Sequence, residues 1–147
     1  MIACESCVVD ASVGIKLVVE EEHADKARRL FLQMAASPHC IFYVPDLFYV
    51  ECANVLWKYV KRFSYSHKDA QVHLDSIHAL DMVPIEADII TTAALAIALE
   101  HSISVYDACY VAVSAHTNTP LITADMRLVR HLEKTTYQIR YLGDLEL

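Results

Sequence analysis

Short runs of apolar, largely β-branched residues recur along this chain, and each is separated from the next by a longer stretch whose apolar positions follow a helical period. Five runs read as strands, at residues 7–9, 41–44, 82–84, 121–123 and 139–141. Between them the 3.6-residue period predicts helices over 12–22, 24–35, 47–61, 67–78, 87–101 and 107–115, with a short one over 126–132. This alternation leaves few folds open. Consecutive strands joined through helices run parallel, and the joining helices then cover the faces of the sheet. An α/β fold with a largely parallel sheet is expected, and in such folds ligands collect at the carboxyl ends of the strands.

No repeat, low-complexity tract or Ser/Gly/Pro linker interrupts the pattern, so residues 1–147 are expected to form a single domain. Hydrophobic residues make up 55% of the chain and charged ones 21%, which excludes disorder. The first ten residues hold Glu5 and Asp10, no basic cluster and no apolar stretch of signal-peptide length. The longest uncharged run, 108–124, contains His116, Asn118 and Pro120 and is unsuited to a bilayer. A cytoplasmic protein without a membrane span is expected. Five sparsely placed cysteines, an odd number, then suggest reduced thiols, and Cys4-x-x-Cys7, lacking a second pair, is assigned to packing. With only two glycines, Gly14 and Gly143, neither a Walker loop nor a dinucleotide fingerprint can form. Phosphate, if bound, must be met by metal ions or side chains.

Four acids stand out against that frame. Asp10 ends the first strand and precedes a helix; Asp125 does the same after the fourth strand. Either could be an N-cap, but two strand-to-helix junctions carrying Asp also fit ligands delivered to one sheet edge. Asp107 heads an apolar helix three residues after Ser104, the spacing of a capping box, and a helix N-terminus favours an anion there for either purpose. Glu51 shares its helix face with Leu47, Phe48, Asn54 and Val55. A carboxylate on such a stripe is expensive to bury unless a cation meets it, and Asn54 adds a second polar group there.

In order, VVDASV at 8–13, ECANVLWK at 51–58, YDACYVAVS at 106–114 and LITADMRL at 121–128 resemble the motifs of the PIN-domain family, in particular its VapC toxin class, over nearly the whole chain. The resemblance implies a three-layer α/β/α sandwich with a mainly parallel five-stranded sheet. It implies that Asp10, Glu51, Asp107 and Asp125 gather around one or two Mg²⁺ ions, with Mn²⁺ as a substitute, supported by hydrogen bonds from Ser12, Asn54 and Thr123. Some relatives carry a further acid just after the fourth, where this chain has Arg127. The activity implied is metal-dependent hydrolysis of RNA by the toxin of a type II toxin–antitoxin pair. The partners implied are RNA, a small antitoxin whose tail brings an arginine to the acidic groove, and a second copy of the chain.

Lys16, Lys58, Lys61, Arg62, Arg127 and Arg130 flank the acid segments and are candidates to hold RNA phosphates; solvated helix faces explain them equally well. The formal charge of −7 opposes sequence-independent RNA binding, which depends on neutralising phosphates. Divalent ions in an acidic site would offset it. Two rival functions follow from the same residues. In one the acids are only caps, and the protein is an inactive RNA-processing scaffold or protein-binding module. The other, a phospho-aspartate phosphatase, lacks its Asp-x-Asp pair, because Ser12 stands two places after Asp10.

Overall fold

Residues 4–147 are described by the computed structural model. The first strand, β1 (Cys7–Val9), sends successive side chains to opposite faces of the sheet, yet all three residues are at most 2% exposed. Both faces of the sheet are therefore covered, which requires three layers. The remaining elements are α1 (Ala11–Gly14) with a following 3₁₀ turn (Ile15–Leu17), α2 (Ala24–Ala36), β2 (Phe42–Pro45), α3 (Leu47–Arg62) and α4 (His67–His78). They continue with β3 (Val83–Ile85), α5 (Ala87–His101), α6 (Val105–Thr117), β4 (Leu121–Thr123), α7 (Met126–Leu132), β5 (Ile139–Tyr141) and a closing 3₁₀ turn (Leu142–Asp144).

The five strands form one sheet in the order β3-β2-β1-β4-β5, and every pairing is parallel. Val8 of the central strand pairs with Tyr43 on one side and Leu121 on the other. The chain winds outward from β1 to β3, then returns across the sheet through α5 and α6 to β4 and β5. Right-handed crossovers place the helices of the two halves on opposite faces. Helix α6 packs against β1, β2 and β4 and against α5. The winding reverses between β1 and β4, and in sheets of this kind the carboxyl ends at such a point form the crevice where ligands bind. Asp10 directly follows β1 there, and Asp125 lies two residues beyond β4.

Two local features fix the entry to that crevice. Gly14 lies where a Cβ would stand 2.5 Å from Phe48 Cζ, and Phe48 is fully buried, so α1 can pack on α3 only with no side chain at 14. Ser104 caps α6 by accepting from the Asp107 N–H at 3.1 Å, which starts that helix at Val105 rather than at 107.

The helix expected over 12–22 stops early. Val18 and Val19 are β-branched, and Glu20, Glu21 and Glu22 would place three negative charges at a helix C-terminus, where the dipole opposes them. The expectation that all five cysteines are reduced is also corrected. Cys4 and Cys40 are joined in a disulfide, with Cα atoms 5.6 Å apart, whereas Cys7, Cys52 and Cys109 are buried thiols. The segments leading into β1 and β2 enter neighbouring parallel strands, with Cys7 opposite Phe42, and so run side by side. Burial pushes the Cys7 thiol up to about 12, which suits its role in packing.

Among the described residues no single helix is long and apolar enough to cross a membrane. Helices α5 and α6 pass that test only as a pair, bent by 116° at their junction.

Candidate metal centre

Asp10 is the most buried of the four acids, 7% exposed, and it does not cap α1 with its side chain. Its carboxylate accepts instead from the Ser12 hydroxyl, and Ser12 Oγ in turn accepts from Ala124 N–H at 2.9 Å. Ser12 thus ties the end of β1 to the end of β4. Thr123, itself fully buried, accepts from Asp125 N–H at 3.0 Å. Burial pushes Asp10 up to about 6 against hydrogen bonding from Ser12 and Thr123, and the Asp107 carboxylate raises it further.

Glu51 projects from the first half of α3 and is partly buried. Burial raises it to about 6; Tyr110 lowers it, while Asp10 and Asp107 raise it. Its Oε1 atom is buried with no hydrogen-bond partner. The Tyr110 hydroxyl lies near enough to influence Glu51 but does not meet the geometry of a hydrogen bond, and it too is buried and unpaired. Asp107 is raised by burial, lowered by Ser104 and raised again by Asp125. Glu51, Asp10 and Asp107 are therefore each raised by at least one other of the four acids.

Asp125 does cap its helix: Oδ1 accepts from Arg127 N–H at 2.9 Å and Leu128 N–H at 3.4 Å. It lines a surface depression with Asp107, Arg127, Leu128 and His131. The Arg127 guanidinium lies 3.7 Å from Asp125 Oδ1 with its side chain 94% exposed.

The acids share one sheet edge and one electrostatic field without closing into a ligand shell. Among the described residues, no three of Asp, Glu, His or Cys stand close enough to hold a metal ion as they are. Like charges in a crevice push one another apart and hold protons, and a cation is what would draw them together. The donor set fits a hard divalent ion: carboxylate oxygens, two groups raised to about 6, and a buried carboxylate oxygen with no partner.

A model of the PIN domain matches residues 7–133. The chain belongs to the PIN-domain family. It is 36% identical over 125 residues to Ribonuclease VapC3 of Pyrobaculum aerophilum, covering 82% of this chain and 90% of that protein. In three dimensions this PIN domain superposes on the crystal structure of PAE2754 from the same organism with a TM-score of 0.67 at 22% identity, covering 95% and 92% of the two chains. A toxin–antitoxin complex from Klebsiella pneumoniae gives 0.65 at 16% identity, covering 95% of this chain and all of that one. At those identities the superpositions speak for the fold.

The structure parts the remaining sequence candidates. Ser12 and Thr123 bridge the acid-bearing strand ends as described, but Asn54 is exposed and donates to none of the four acids. Helical spacing puts Asn54 on the face of Glu51, whereas that face turns to solvent one turn further on. Lys16 is 7% exposed and gives its ammonium to Glu21 at 3.1 Å, so it offers no free charge to a phosphate. Lys58, Lys61, Arg62, Arg127 and Arg130 are exposed. Sequence reasoning missed Tyr110, because a tyrosine within an apolar helix reads as core.

Proposed function

We propose that this chain is an endoribonuclease that hydrolyses RNA phosphodiester bonds with Mg²⁺, or Mn²⁺ in its place, held by Asp10, Glu51, Asp107 and Asp125. The observation that carries this reading is the buried, unpaired Glu51 oxygen beside acids that raise one another's proton affinity. Evolution seldom keeps such groups together in a core unless a cation meets them. When bound, the metal supplies charge neutralisation at the phosphate and acidifies water. Asp10, Asp107 and Asp125 offer the ligand oxygens. Ser12 and Thr123 fix the strand ends that carry two of them. Glu51 ligates or orients the attacking water. In-line attack on phosphorus would leave 5′-phosphate and 3′-hydroxyl ends. Arg127 and Arg130 on α7 and Lys58, Lys61 and Arg62 on α3 are exposed cations that would serve as contacts for RNA phosphates.

Incubating the pure protein with structured RNAs in Mg²⁺, Mn²⁺ or chelator tests this directly. Cleavage lost both in chelator and in Asp10→Asn supports it; cleavage that survives either one refutes it. A DNA substrate run in parallel checks the choice of nucleic acid.

The same reading makes the chain a toxin of the type II class, working in the cytoplasm as a homodimer and restrained by a small antitoxin. An apolar groove supports macromolecular partners: Trp57, 57% exposed, and the half-buried Val60, Ala70 and Leu74 line it between α3 and α4. An arginine from the antitoxin would find an acidic crevice in a chain of net charge −7.

A specific observation favours the inactive scaffold as a second reading: Asp125 is engaged as a cap, and the acids do not stand ready as a ligand shell. Mg²⁺ separates the two. A scaffold gains no more melting temperature from Mg²⁺ than from equivalent ionic strength, whereas a binding site gains with the logarithm of metal concentration over its dissociation constant.

A further inference from the structure

Tyr110 is the largest fully buried side chain among the described residues, 1% exposed, on the helix that packs across the centre of the sheet. It stands three residues after Asp107 and so shares the face of α6 that carries that acid toward the crevice. Its hydroxyl finds no partner. Glu51 Oε1 is in the same position, and among the described residues these are the two buried side-chain oxygens without a hydrogen bond. They are neighbours, each within electrostatic reach of the other. One is a neutral phenol with a proton to donate, the other a carboxylate that can only accept. A core that needed only volume at 110 would be served by phenylalanine, with no hydroxyl to desolvate.

We infer that Tyr110 is a positioning residue for Glu51, its hydroxyl donating to one carboxylate oxygen so that the other is turned toward the cation. The pairing is drawn up when a cation collects the acids and is slack without one. This rests on the metal-site reading proposed above, which no feature of Tyr110 alone establishes. Groups that orient a ligating carboxylate in this way contribute about tenfold or more to metal affinity.

Calorimetric titration of the full chain with Mn²⁺ alone, wild type against Tyr110→Phe, with melting of both proteins in chelator, tests the inference. The expected result is an Mn²⁺ affinity about tenfold or more weaker in Tyr110→Phe. Its melting temperature in chelator should equal or exceed the wild type's, because an unpaired buried hydroxyl has been removed. RNA cleavage by the variant should return as Mg²⁺ is raised. Unchanged Mn²⁺ affinity overturns the inference while leaving the metal site standing. A lower melting temperature in chelator also overturns it, since Tyr110 is then a structural prop. A wild-type protein that binds no Mn²⁺ overturns the metal-site reading itself, and this inference with it.

Discussion

Asp10 pays for its position at the mouth of the crevice with burial, and that has a measurable consequence. Both Asp10 and Glu51 are raised to about 6, above the 3.8 and 4.5 of exposed carboxylates. In the metal-free protein the folded state therefore binds more protons than the unfolded chain between about pH 4 and 6. The stability these two groups contribute is present in full below the unfolded values and is lost as pH rises through 6. In chelator, Asp10→Asn should match the wild type near pH 4 and exceed it at pH 7. From the shift of Asp10 the gain is on the order of 3 kcal/mol, read from urea unfolding midpoints. Equal stability at pH 7 would show that Asp10 is not buried as an acid. Mn²⁺ affinity should climb through the same interval, because ligands must shed protons to bind. The sequence made these acids legible because their context was anomalous: Asp at two strand ends, Glu among apolar neighbours. It hid Tyr110, since a missing partner is a property of three dimensions. It misled on Lys16, whose partner Glu21 sits five residues on, where the helix expected there has already ended.

At the scale of elements, the period of the apolar residues carried most of the fold. The strands at 7–9, 121–123 and 139–141 and the helices at 67–78, 87–101 and 126–132 form with the expected bounds. The second and third strands are displaced by one residue, to Phe42–Pro45 and Val83–Ile85, where parallel pairing with each other sets the ends. Helix starts and stops depend on caps and charges rather than on period, which is why 12–22 failed at its acidic end and 107–115 began early, at Val105 behind its Ser104 cap. The junction of α1 with α3 makes a sharper claim. Gly14→Ala would drive a methyl into the Phe48 ring, which has no room to retreat, and should cost about 1–3 kcal/mol. Phe48→Leu in the Gly14→Ala background should recover part of that loss. A neutral Gly14→Ala change in thermal melting would mean that the helices do not pack as described.

Across the whole molecule, composition and charge spoke to class, were silent on assembly, and pointed the wrong way on covalent links, since the odd cysteine count suggested reduced thiols only. The Cys4–Cys40 bond could not be read from spacing, because it depends on which strands become neighbours. It closes a span of 36 residues, for which chain entropy alone gives about 4 kcal/mol as an upper scale. Reductant and Cys40→Ser should lower stability by the same amount, and neither should add to the other. Disulfides are uncommon in reducing compartments, so trapping the Cys4 and Cys40 thiols by alkylation in cells would report whether the bond is formed where the protein works. The winding of the sheet matters most for activity, because it brings the ends of β1 and β4 to one crevice together with α3 and the start of α6. Crystals soaked in Mn²⁺ and measured at its absorption edge test that convergence most directly. An anomalous peak within coordination distance of Asp10 and of at least two of Glu51, Asp107 and Asp125 is the expected result. A metal bound elsewhere, or an empty crevice at saturating Mn²⁺, would contradict it.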